Sequence, residues 1–222
     1  MHDVVIRSFA DAHEIVAGFR DKAMVYRGVR SVDYELVPKI GRFARFSPEQ
    51  LEKKERLMFK KFKQRGRPWL GTDSGDDWDL LALAQHHGLP TRLLDWTRNP
   101  LVALYFAVAN DHDGDSLLYA FHSTRNINRE RDPDPFKRDR VGKFVPDHVT
   151  PRITAQAGLF TIHPRPSNVF RSSKIQRFVV SGESRFALKM NLYRYGINQA
   201  TLFPGLDGLA AQIQWSAQHS VV

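Results

Sequence analysis

Apolar residues along this chain come in short bursts that switch between helical and strand spacing. Ser8 and Asp11 open a short amphipathic helix to about Phe19, with Ile15, Val16 and Phe19 on one face. Residues 23–28, Ala-Met-Val-Tyr-Arg-Gly, predict a short buried strand ending in a glycine turn. Ser47-Pro48-Glu49-Gln50 is a capping box with proline at the first helical position. That helix runs to about Arg65 and stops at Gly66. It buries Leu51, Met58, Phe59 and Phe62, and its Lys and Glu residues form a solvated face. Asp76 or Asp77 caps a helix from Trp78 to His87, ended by Gly88 and Pro90. Residues 88–97 follow as a loop and short strand. Asn99 and Pro100 then start a deeply buried helix carrying Leu101, Ala103, Leu104, Phe106 and Ala107. Strands are expected at Leu117–Phe121, Leu159–His163 and Phe178–Ser181, and helices over about 184–195 and 206–214. Residues 122–150 are polar, charged and proline-bearing, which predicts a long loop of the kind that is often functional or mobile. No internal repeat is visible. The expected fold class is α+β, with short strands separated by helices or long loops.

Composition narrows the picture. With 222 residues, 42% of them hydrophobic and 15 Phe, the chain is one domain with a real core. It has no cysteine, which excludes a disulfide scaffold, Cys-ligated zinc, iron–sulfur clusters and a thiol nucleophile. The net charge of +9 is uneven. Residues 1–121 hold 18 Lys+Arg against 17 Asp+Glu, whereas residues 122–195 hold 15 against 6. Such a segment suits a polyanion or an acidic protein, and equally a solvated basic surface. The N-terminus lacks a signal-peptide core, and the longest apolar run, Leu101 to Ala109, is nine residues. The expectation is a soluble, cytoplasmic protein with no membrane partner.

The densest polar signal is the stretch from Gln85 to Pro100, with two His, Arg92, Asp95, Trp96, Thr97 and Arg98 between two helices. A metal or nuclease site would use His86, His87 and Asp95. Adjacent histidines on a helix point about 100° apart, so no metal is expected. Plainer roles stand beside the chemical ones: His87 as a core histidine, Asp95 as a partner of Arg92 or Arg98, and Arg27 as a buried structural arginine.

Tyr26-Arg27-Gly28, the string Gln85-His86-His87-Gly88-Leu89-Pro90-Thr91-Arg92-Leu93-Leu94-Asp95-Trp96-Thr97 and Asn99-Pro100 resemble the FRG domain, named for a Phe-Arg-Gly triplet in which Tyr26 replaces the Phe. Pro151-Arg152-Ile153, residues 156–160 and the stretch from Gly196 to Leu209 extend the resemblance. Its motifs run from about residue 20 to 212, implying a single FRG domain over residues 1–222, with bacterial and phage conflict or defence by association. A weaker likeness links the chain to ADP-ribosyltransferases. Their early strand ends in aromatic-Arg-Gly, a second ends in a hydroxyl residue before Asn-Pro, and a third is entered through a Gln/Glu-x-Glu loop. Tyr26-Arg27-Gly28, Thr97 with Asn99-Pro100, and Gln156-Ala157-Gly158 stand in those places.

That likeness implies a short split sheet with flanking helices and NAD⁺ as the bound nucleotide. Arg27, Asp95, Thr97 and Gln156 would be catalytic, and Tyr26, Gly28, His87, Arg92 and Trp96 would bind NAD⁺, Trp96 by stacking on the nicotinamide. The departure is at the third motif, where Gln156 and Gly158 replace the expected Glu, so Asp95 or another acid such as Asp207 would have to supply the carboxylate. The expected function is transfer of ADP-ribose to a macromolecule, or hydrolysis of NAD⁺. The basic segment 122–195 would meet a nucleic-acid or protein acceptor. The alternative is a non-catalytic nucleic-acid-binding or protein-interaction module of the same fold.

Overall fold

The computed structural model describes residues 4–19, 23–70, 75–110, 112–147 and 150–221. Its centre is a seven-stranded sheet in the order β1-β7-β4-β2-β3-β6-β5. The strands are β1 (Val4–Ile6), β2 (Met24–Val29), β3 (Leu93–Thr97), β4 (Ser116–His122), β5 (Gly142–Phe144), β6 (Gly158–Ile162) and β7 (Ile175–Val180). All neighbours are antiparallel except the β1–β7 pair. β2 pairs with β4 over its whole length but meets β3 only at Tyr26↔Thr97. The sheet therefore splits past that point into a β1-β7-β4-β2 half and a β3-β6-β5 half.

Two sets of helices cover the halves. On the first lie α1 (Phe9–Ala17), α4 (Pro100–Val108) and α6 (Arg185–Arg194), whose Ala12, Val102, Leu104, Leu188 and Leu192 bury against Ile6, Tyr26, Leu118 and Phe178. On the second lie α2 (Pro48–Gly66) and α3 (Asp77–His86), with Phe59, Trp78 and Leu81 against Leu93, Phe160 and Ile162. Three shorter or later helices are α5 (Pro151–Ala155), α7 (Gln199–Leu202) and α8 (Leu206–Gln218). The starts follow the sequence signals. Ser8 and Ser47 close capping boxes, the Asp76 carboxylate accepts from the backbone of Trp78 and Asp79, and Asn99 caps α4. Among the described residues no helix is long and apolar enough to cross a membrane.

The close approach of α4 to β2 requires Gly28. A Cβ there would stand 1.8 Å from the Ala103 carbonyl oxygen and 2.6 Å from the Ala107 nitrogen, both helix backbone atoms that cannot swing aside. Gly28→Ala is expected to lower stability by about 3 kcal/mol, the upper end for overpacking, because α4 must be levered off the strand. Urea unfolding followed by circular dichroism reads this directly; an unchanged midpoint would contradict it.

Residues 122–150 are not a free loop. β5 forms within them, and the Arg129 guanidinium bonds the carboxylates of Asp79 (3.1 Å) and Asp147 (2.8 Å). The Trp78 indole donates to the Asp132 carbonyl. A three-residue strand is too short to show a period, and β1, α5 and α7 escaped the sequence pattern for the same reason.

Candidate functional site

Where β2 and β3 part, a cavity of about 300 Å³ opens between the sheet halves, roofed by α4, α5 and the end of α3. That volume is at the lower end of small-molecule pockets, roughly 300–1,000 Å³. Arg27, Asp95, Thr97 and Gln156 all line it, as do Tyr26 and Gly28.

The Arg27 side chain reaches across the split. Its Nη1 donates to the Asp95 carbonyl at 2.6 Å and lies 3.4 Å from the Asp95 carboxylate. No other protein partner holds its guanidinium among the described residues, so its remaining N–H groups are available to a ligand. Asp95 stays 56% exposed. Gln85 fixes its orientation: the buried Thr91 hydroxyl donates to Gln85 Oε1 at 2.6 Å, which turns the amide nitrogen toward both Asp95 oxygens, each 3.2 Å away.

The Thr97 hydroxyl is committed to the protein. It donates to the Gln156 carbonyl at 2.6 Å and accepts from the Asn99 backbone at 2.9 Å, tying the end of β3 to the α5–β6 turn. Thr97 thus positions Gln156. The Gln156 amide donates to the Leu202 carbonyl in α7 at 2.9 Å, and its side-chain oxygen has no protein donor among the described residues.

Several lining groups were not among the residues expected to bind NAD⁺. Lys39 stands at the rim, its ammonium on the Gly88 carbonyl at 2.9 Å. Arg152 lies 4.3 Å over the Phe203 ring with its Nε buried and without a hydrogen-bond partner among the described residues, and burial lowers its pKa. Burial, with Arg152 nearby, also lowers His86 to about 4, so its imidazole is neutral near pH 7. Phe106 supplies an aromatic wall. Quoted motifs held the signal for Gln85, His86 and Arg152; Lys39 had none.

Three expected binding residues fall elsewhere. Arg92 is 1% exposed, its guanidinium bonded to Glu55 at 2.9 Å under the Phe136 ring, and does not reach the cavity. His87 ends α3 and is exposed; the 100° helical step puts His86 in the cavity instead. Trp96 borders the cavity, but strand alternation turns its indole to the opposite sheet face, against Phe121 and onto the Thr161 hydroxyl at 2.9 Å. It cannot stack on a ligand in the cleft. Asp207, at the start of α8, is not among the lining residues, which leaves Asp95 as their one carboxylate. No group of three or more His, Asp or Glu among the described residues is placed to hold a metal.

Trp96 begins a chain with an acid-sensitive end. Its indole N–H can only donate, so the Thr161 hydroxyl accepts from it, and the same hydroxyl lies 2.9 Å from His163 Nε2. Burial lowers His163 to about 3, with the Arg27 charge adding to the shift. The unfolded chain takes up this proton near pH 6.5 and the folded chain does not, so stability falls as pH drops through that window. Between pH 6.5 and 5 the loss is roughly 1.5–2 kcal/mol. His163→Gln should flatten the stability–pH curve there; an unchanged slope in urea titrations would refute the assignment.

An α+β domain with a cationic cleft at a split in its sheet is thus the class that fold and site define. The family model of the FRG domain matches residues 22–116, and this stretch belongs to the FRG family. It contributes β2, α2, α3, β3 and α4; the cleft is completed by Arg152, Gln156 and β6 from beyond it. No curated protein and no solved structure matches the chain.

Proposed function

We propose that the cleft binds NAD⁺ and that the chain is an ADP-ribosyltransferase-like enzyme, moving ADP-ribose to a macromolecular acceptor or to water. The observation that supports it is convergence. Arg27, Asp95, Thr97 and Gln156 come from three distant segments and line one cavity at the sheet split. Charge agrees with the ligand. Arg27, Lys39 and Arg152 suit a diphosphate, and Asp95 suits the cationic nicotinamide ribose.

NAD⁺ supplies a glycosidic bond whose cleavage releases neutral nicotinamide with the bonding pair. Asp95, oriented by Gln85 and Arg27, stabilises positive charge developing on the ribose. Neutral His86 offers a hydrogen-bond acceptor to the attacking hydroxyl, whose proton passes to solvent as the new bond to C1′ forms. Gln156 offers an amide oxygen to a ribose hydroxyl where a Glu would offer a charge. That substitution favours one second reading, NAD⁺ binding without turnover.

The acceptor is a nucleic acid or protein. Segment 122–195 has less free charge for it than its composition suggests: Arg129 and Arg138 pair with carboxylates, and Lys143, Arg185 and Lys189 donate to backbone carbonyls. The cytoplasm, which holds NAD⁺, is the compartment this reading requires, and bacterial or phage defence remains a proposed setting. Incubation with labelled NAD⁺ and mixed protein, RNA and DNA tests the activity. Nicotinamide release with label on one acceptor is expected. No consumption, no transfer and an unchanged melting temperature would reject it.

A further inference from the structure

A cationic surface lies on α2, outside the residues that line the cleft. Along α2, Lys53, Leu57, Lys61 and Arg65 follow at four-residue steps, with Lys60 and Gln64 between them, all on the exposed side. The opposite side is buried through Leu51, Glu55 and Phe59. Glu52 is held by Arg56 on the flank, and the stripe begins at Glu49, which accepts from the Ser47 hydroxyl, so from Leu57 onward the outward face carries cations without a carboxylate. Lys60, Lys61, Arg65 and Arg67 have no acidic partner among the described residues. The face continues past the helix into Arg67 and Trp69, whose side chain is 84% exposed. Trp78 and Trp96 are buried, and Trp215 packs on Lys189 and His219.

We propose that this face of α2, with Arg67 and Trp69, is a docking surface for single-stranded nucleic acid. The cations track the backbone phosphates, and the Trp69 indole stacks on an unpaired base. Charge complementarity identifies a polyanion, and the solvated indole selects a strand whose bases are free. An anionic membrane fits less well. An interfacial helix inserts its apolar face, and that of α2 is already in the core, leaving only Leu57, 51% exposed, outside. The surface is independent of the NAD⁺ reading, and its test does not involve the cleft.

Fluorescence anisotropy of the full chain with a labelled 20-nucleotide oligo-dT, at several salt concentrations, measures binding. The same-length duplex and phosphatidylserine vesicles serve as competing probes. Binding is expected to weaken with salt. The triple variant Lys60→Ala/Lys61→Ala/Arg65→Ala should reduce the slope of log affinity against log salt by about 2, from roughly 0.7 per phosphate contact. Trp69→Ala should weaken binding roughly five- to hundred-fold, and the intrinsic fluorescence quench expected for wild type should be lost in Trp69→Phe. Circular dichroism melts confirm folding, since none of these side chains supports the core. Three results would overturn the proposal: an unchanged salt slope in the triple variant, unchanged affinity in Trp69→Ala, or vesicle or duplex binding at least as tight as that of the single strand.

Discussion

Glu55→Ala should lower the unfolding free energy by about 3–5 kcal/mol, the cost of stranding a buried charge. The Glu55 carboxylate accepts from both the Arg92 Nε (2.9 Å) and the Arg92 backbone nitrogen (2.7 Å), and both side chains are almost fully buried. The Arg92 Nη1 continues to the Phe136 carbonyl. This cluster joins α2 to the start of β3 and to the segment before β5. Removing the carboxylate leaves a guanidinium with no counter-charge in the core. The double variant Glu55→Leu/Arg92→Met removes both charges and should recover most of the loss. Urea unfolding of the two variants decides the point. A cost below about 1 kcal/mol for Glu55→Ala would show that the pair does not anchor the strand.

The second large effect is chemical. Asp95→Asn should reduce release of nicotinamide from NAD⁺ by about 10²–10³-fold, the scale of removing one preorganised electrostatic group. Stability should hardly change, because Asp95 is half exposed and its contact with Arg27 is long and solvent-accessible. The contrast separates the two acid–arginine pairs on β3. Glu55–Arg92 is sealed and structural, whereas Arg27–Asp95 faces an open cavity. A loss in rate together with a comparable loss in stability would place Asp95 in the scaffold.

Much of this was legible in the sequence, for identifiable reasons. Side-chain caps act within four residues, so Ser8, Ser47, Asp76 and Asn99 marked their helices correctly. Arg27, Asp95, Thr97 and Gln156 came as a set from the resemblance to ADP-ribosyltransferases, whose three motifs they match, and not from spacing or capping. What failed needed three dimensions. Sequence shows Arg92 and Asp95 as equivalent polar positions of one string, but only the fold places Glu55 beneath the first. The choice of His87 over His86 was a phase error of one helical step. Trp96 follows strand alternation away from its neighbours Asp95 and Thr97, which line the cavity with their side chains. The basic segment 122–195 drew attention by its count, yet cations without an acidic partner among the described residues lie on α2, in the half whose net charge is near zero.

Calorimetric titration of NAD⁺ into the full chain, in parallel with Arg27→Ala, tests the central claim most directly. An NAD⁺-binding cleft predicts saturable heat for the wild-type chain, a raised melting temperature, and loss of both in Arg27→Ala, although that variant remains folded. Absence of heat at millimolar NAD⁺, or equal binding by Arg27→Ala, would contradict it.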